Sequence, residues 1–78
     1  MTNREFLKVA ILDALGGTNK GMTWPECAKA IWACEEAELR KRGDLFYTWQ
    51  YDMRWAMQVL RDEGKVVNFS RGMWALAR

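Results

Sequence analysis

From Thr48 to Arg78 a helix-length stretch of mixed polarity, one glycine and a short aromatic ribbon follow one another without a gap. That run constrains the fold more than any other part of the chain. Thr48 is placed to cap a helix reaching Glu63, and Gly64 to end it. Lys65-Val66-Val67-Asn68-Phe69 and Met73-Trp74-Ala75-Leu76-Ala77 then flank a Ser70-Arg71-Gly72 turn, the pattern of a hairpin. At about 100° per residue, Trp49, Met53, Ala56, Val59 and Leu60 fall on one side of the helix, with Trp55 and Met57 on its flanks. Gln50, Tyr51, Arg54, Gln58, Arg61 and Asp62 collect on the other side. Asp52 falls among the apolar residues, in a first turn where a carboxylate suits the helix dipole.

Upstream, Thr2-Asn3-Arg4-Glu5 fits a capping box, in which hydroxyl and carboxylate satisfy each other's orphan amides. The helix it opens carries Phe6, Leu7, Ala10, Ile11, Ala14 and Leu15 on one broad face and leaves Leu12 off it. Gly16-Gly17 stops it by entering the left-handed region cheaply. After a polar connection from Thr18 to Met22, Thr23-Trp24-Pro25-Glu26 makes a second capping box with proline in the first turn. Trp24, Cys27, Ala28 and Ile31 recur at helical spacing. Glu35-Glu36-Ala37-Glu38-Leu39-Arg40-Lys41-Arg42 either continues that helix to Gly43 or forms an elaborated loop; its helix formers and acid-before-base order favour continuation. The expectation is an α+β, mostly α chain: three helices and a C-terminal two-stranded hairpin, residues 1–78 forming one domain. That order is the layout of a winged helix, in which a minor third strand falls near 21–23.

Seventy-eight residues lie near the lower limit for a core without staples, but half are apolar and five are tryptophan. No run approaches the roughly 20 apolar residues of a membrane span, and no signal-peptide pattern opens the chain, so the expected compartment is cytoplasmic. Cys27 and Cys34 lie about 10 Å apart along a helix, too far for a disulfide. With no histidine in the chain they cannot complete a zinc site. They read as two half-buried free cysteines in a reducing compartment. Net charge is +2, unevenly placed: residues 1–39 hold four basic and six acidic side chains, residues 40–78 eight and four. Positive charge is concentrated where the third helix and hairpin lie, as a footprint for phosphate should be.

Arg54-Trp55-Ala56, Leu60, Gly64 and Arg71-Gly72-Met73-Trp74-Ala75-Leu76 together resemble a bacterial pattern. It is that of the N-terminal winged-helix domain of Mrr-type restriction endonucleases and the related HARE-type helix-turn-helix modules. The resemblance covers the last twenty-five residues well and the first helix only generically. It implies a winged helix that binds DNA, with Trp55, Leu60, Trp74 and Leu76 in the core, in a bacterial or phage regulator or accessory subunit. The charged stretch from Glu35 to Asp44 is longer than that family's usual connection, and no nuclease domain follows in these 78 residues.

For duplex DNA, Arg54 and Arg61 suit bidentate pairing with guanine, and Gln50 and Gln58 suit adenine. Thr48 and Tyr51 suit phosphate. Arg71 at the hairpin tip suits a minor groove or backbone, with Lys65 and Asn68 beside it. Arg40-Lys41-Arg42 is either a phosphate clamp or a solvated helix end complementing the dipole. Nothing points to an enzyme, a metal or a cofactor: no histidine, no glycine-rich phosphate loop and no acidic cluster at metal-binding spacing is present. The rival reading is a protein-interaction module that leaves DNA alone. A homodimer or a larger partner would then be held through aromatics outside the core, namely Trp32, Phe46, Tyr47 and Phe69, together with Leu12.

Overall fold

The computed structural model describes residues 1–77. Its elements run α1 (Asn3–Gly16), β1 (Met22–Thr23), α2 (Trp24–Lys41), α3 (Leu45–Asp62), β2 (Val66–Ser70) and β3 (Met73–Leu76). The strands form one antiparallel sheet in the order β1-β3-β2. This is the expected mostly helical α+β arrangement in a winged-helix layout, minor strand included.

Local signals account for most of the boundaries. The Thr2 hydroxyl accepts from the Glu5 amide at 3.1 Å. At Thr23 both capping-box bonds form: its amide donates to Glu26 Oε1 at 2.8 Å and its hydroxyl accepts from the Glu26 amide at 3.2 Å. That amide holds the Glu26 carboxyl below its ordinary pKa. At the end of α3, Lys65 N donates to Leu60 O at 2.9 Å and Gly64 N to Arg61 O at 3.0 Å. These are the paired bonds of a Schellman stop, which places Gly64 at φ +76°.

Three boundaries depart from expectation. Thr48 is not a cap: α3 begins at Leu45, three residues earlier, and the Thr48 hydroxyl donates to Asp52 Oδ2 at 2.8 Å inside the helix. Asp52 is therefore in the third turn and owes its place to Thr48, not to the dipole. Gly16 remains helical and Gly17 keeps φ −80°, so α1 does not end through the left-handed region; that conformation appears later, at Gly21. The hairpin strands are Val66–Ser70 and Met73–Leu76, shifted by a bulge between Val67 and Ser70, and only Arg71-Gly72 is left to turn the chain. The segment left open between helix and loop is helix as far as Lys41.

One buried cluster joins every helix: Leu7, Ile11 and Leu15 of α1, Cys27, Ile31 and Leu39 of α2, Leu45, Met53, Met57 and Leu60 of α3, with Val66 from β2. Leu45, Trp49, Met53, Ala56 and Leu60 recur every three or four residues and are buried together with Met57, while Val59 is half-buried. Leu12 also packs against this cluster and is not free. Of the four residues that the family likeness assigns to the core, Leu60 is fully buried and Trp74 half-buried against it. Trp55 and Leu76 lie at the surface, 39% and 37% exposed.

The cysteines are not alike. Cys34 is exposed, whereas Cys27 is buried and its thiol is pushed up to about 11 by loss of hydration. An alkylating reagent at pH 8 should modify one thiol per native chain, at Cys34; modification of both at similar rates would show that Cys27 is accessible. Because the folded pKa is raised, this thiol's contribution to stability is complete below pH 9.0 and is lost as pH climbs toward about 11.

Candidate nucleic-acid interface

With α3 starting at Leu45, its outer face is a longer stripe than the sequence indicated. Tyr47, Gln50, Tyr51, Arg54, Gln58 and Arg61 are all exposed. They fall within an arc of about 100° at 100° per residue, and along about 21 Å of axis at 1.5 Å per residue. A B-DNA major groove is about 12 Å wide, so a helix edge of this kind fits it. Tyr47 and Tyr51 are 83% and 78% exposed, unusually open for aromatic side chains. The sequence offers Tyr47 for a protein partner and not for DNA, because a helix beginning at Thr48 excludes it from the stripe.

The basic residues divide into two groups by their partners. Lys8 and Lys65 pair with Glu63 at 3.1 and 3.8 Å, Arg40 with Glu36 at 2.8 Å, Arg42 with Glu38 at 3.0 Å and Arg61 with Asp62 at 3.7 Å. Among the described residues Arg4, Arg54 and Arg71 are the arginines with no carboxylate within 4.0 Å. Arg54 lies over the Trp24 ring with 5.4 Å from its Cζ to the ring centroid, a contact that orients the guanidinium without neutralising it. Arg61 keeps only a surface pair with its sequence neighbour, which water and salt weaken.

The run Arg40-Lys41-Arg42 is mostly committed elsewhere. Arg42 ties the end of α2 to the start of α1: one guanidinium nitrogen reaches Asn3 Oδ1 at 3.2 Å and Met1 O at 3.4 Å, and the plane covers Phe6 at 4.3 Å. Its Nε meets Glu38 as an ion pair at an angle too poor for a hydrogen bond. Arg40 covers Phe46 and Trp32 at 5.0 and 5.6 Å. Lys41 is exposed.

On the hairpin, Arg71 is exposed at the turn, as expected of a tip. Asn68, also exposed, is tied into the hairpin. Its amide nitrogen donates to Met73 O at 2.7 Å and Ser70 O at 3.0 Å, closing the bulge that shapes the tip. Lys65 sits at the joint between α3 and β2, where its carbonyl accepts from Ala77 N at 3.0 Å.

Three grooves border the stripe: one, about 410 Å³, runs from Trp32 and Phe46 to Gln50, and the other two meet at Arg54 and Gln58. The larger of those two, about 730 Å³, has Asn3 and Arg4 of α1 on one side and Tyr51, Arg54, Trp55 and Gln58 of α3 on the other. Asp52 is its one carboxylate, held by the Thr48 hydroxyl. The smaller, about 390 Å³, carries Arg54 and Gln58 across to Trp24 and Trp74, linking α3 to the sheet. Arg54 and Gln58 thus form the ridge between the two.

The aromatics offered for a partner do not make one patch. Trp32 stacks on buried Trp49 at 6.1 Å and 9°, Phe46 lies 6.1 Å from Trp32, and Tyr47 meets Phe46 edge-on at 5.0 Å. These three are contiguous, but Trp32 and Phe46 are half-buried. Phe69 belongs to the sheet, where its ring covers Gly21. No helix among the described residues is long and apolar enough to cross a membrane, and no group of three candidate metal ligands forms there. No family model, curated protein or solved structure matches this chain.

Proposed function

We propose that this chain is a small DNA-binding module that sets α3 against the major groove of a duplex and the β2–β3 tip against the adjacent backbone or minor groove. One observation carries the reading: Gln50, Arg54, Gln58 and Arg61 share an exposed, unobstructed stripe, and its central arginine has no acidic partner. Arg54 and Arg61 would address guanine, Gln50 and Gln58 adenine. Tyr51, Thr48 and Lys65 would meet phosphate, with Arg71 at the tip. The module binds rather than catalyses, and takes no cofactor. The family likeness in the α3 and hairpin residues supports the same reading, and with it a regulator or accessory subunit in the cytoplasm.

The test is a titration with mixed-sequence duplex at two salt concentrations. Four or five phosphate contacts give a log–log slope of about −4, so affinity should fall roughly 250-fold between about 50 and 200 mM salt. Arg54→Ala should cost about 1–3 kcal/mol on a preferred site. Arg71→Ala should weaken all sequences alike and flatten the slope by about one. A folded protein that leaves duplex unbound at low salt would sink the proposal. A concentration-dependent dimer or a co-purified protein would then favour an interaction module built on Trp32, Phe46 and Tyr47.

A further inference from the structure

Trp55 is a large apolar side chain that the core leaves out, and something must account for its place. Its ring carries Arg4, whose guanidinium carbon sits 4.2 Å from the ring centroid. This is the tightest of the cation–π contacts among the described residues. Arg4 and Arg54 are thus two guanidinium groups resting on tryptophan faces, on opposite walls of one groove. Neither has a carboxylate within 4.0 Å among the described residues, so neither charge is spent inside the protein. A planar guanidinium laid on a ring loses less freedom on meeting an anion than a free side chain does.

We propose that Arg4, positioned by Trp55, is part of the nucleic-acid surface and that the groove between α1 and α3 takes the phosphodiester backbone flanking the contacted major groove. Asn3, Tyr51 and Gln58 supply neutral hydrogen-bonding groups along that channel, which suit phosphate and sugar oxygens. Trp55 acts as a positioning residue: it fixes the guanidinium and contributes no charge. The inference rests on the duplex-binding reading above and extends it to α1, which no motif marks for DNA contact.

Fluorescence anisotropy with a labelled mixed-sequence duplex, taken across a salt series, tests it. Arg4→Ala should lower low-salt affinity about fivefold and reduce the magnitude of the log–log slope by about one. Arg4→Lys should keep the slope and recover only part of the affinity, because a lysine does not lie flat on the ring. Trp55→Leu should lower affinity with the slope unchanged, since the charge remains but is no longer held. Lys20→Ala, an exposed cation in the α1–β1 connection that does not line the groove, should leave the slope alone. Wild-type protein that binds with a salt slope while Arg4→Ala matches it in affinity and slope would overturn the inference and spare the functional reading. An equal effect from Lys20→Ala would reduce Arg4 to a share of net charge and overturn it as well. Absence of wild-type binding would overturn both. Thermal melts separate these outcomes from unfolding; if Trp55→Leu melts early, the two Arg4 variants decide.

Discussion

Gly21→Ala should be among the most damaging single-methyl additions to this chain, lowering stability by about 2–5 kcal/mol. Two costs combine. Gly21 has φ +80°, in the left-handed region that a side chain enters at about 1–2 kcal/mol. A Cβ built there would also lie 2.7 Å from the Trp74 carbonyl oxygen and 2.6 Å from Phe69 Cε1. The Phe69 ring is 55% exposed and can swing outward, but the carbonyl is backbone of β3 and moves only with the sheet. Gly64 is the control, with φ +76° and nothing within 4 Å of its would-be Cβ. Gly64→Ala therefore carries the backbone cost alone, about 1–2 kcal/mol. Urea unfolding of both variants checks the difference, and equal midpoints would show that the close approach at Gly21 has no energetic weight. The double change Gly21→Ala with Phe69→Ala should recover only part of the loss. The effect bears on the proposed interface too, because Met22 and Thr23 pair with Trp74 and Met73 immediately beyond Gly21. Disturbing that pairing loosens the start of β3, directly after the turn that carries Arg71.

Where a boundary is written in adjacent residues, it was legible. The Thr23–Glu26 box and the Gly64 stop depend on contacts within a few positions and occur where local chemistry puts them; the hairpin does so too, but with its strand ends shifted by the bulge. The start of α3 was not legible, because Asp44 makes no side-chain cap bond. The chain enters the helix through backbone bonds instead, from Leu45, Phe46 and Tyr47 to Arg42, Gly43 and Asp44. Thr48 offered a false signal there, since its hydroxyl has a better partner in Asp52, one turn on. Leu45, 2% exposed, was the missed clue: it continues the stripe of Trp49 and Met53 by one more turn. Trp55 and Leu76 stand at the margins of their elements, where the neighbouring element decides burial and periodicity does not. Arg4 had no local mark at all, for its significance comes from a ring fifty-one positions away. The outward stripe of α3, by contrast, follows from helical period alone and is present as expected.

Leu39→Ala should cost about 2–5 kcal/mol, against a total of roughly 4–12 kcal/mol for a domain of this length. The reason lies in its surroundings. From Glu35 to Arg42 the last two turns of α2 are nearly all charged, and Leu39 is the residue there with no exposed surface. The ion pairs on the same turns, Arg40–Glu36 and Arg42–Glu38, join residues four apart and are partly open to water. Such pairs contribute about 0.3–0.5 kcal/mol each, several times less than burial of one leucine. Burial of Leu39, more than charge pairing, thus keeps this stretch helical and packed, and thereby fixes where the Arg42-Gly43-Asp44 turn delivers α3. Thermal melts should show Leu39→Ala falling by about 10 °C or more, while Glu36→Ala moves by no more than a few degrees. If the two changed places, the end of α2 would be held by its surface charges, and the orientation of the α3 stripe would depend on salt even without DNA. Equal, small shifts would mean that these turns contribute little to the core, and that the connection to α3 is looser than its packing implies.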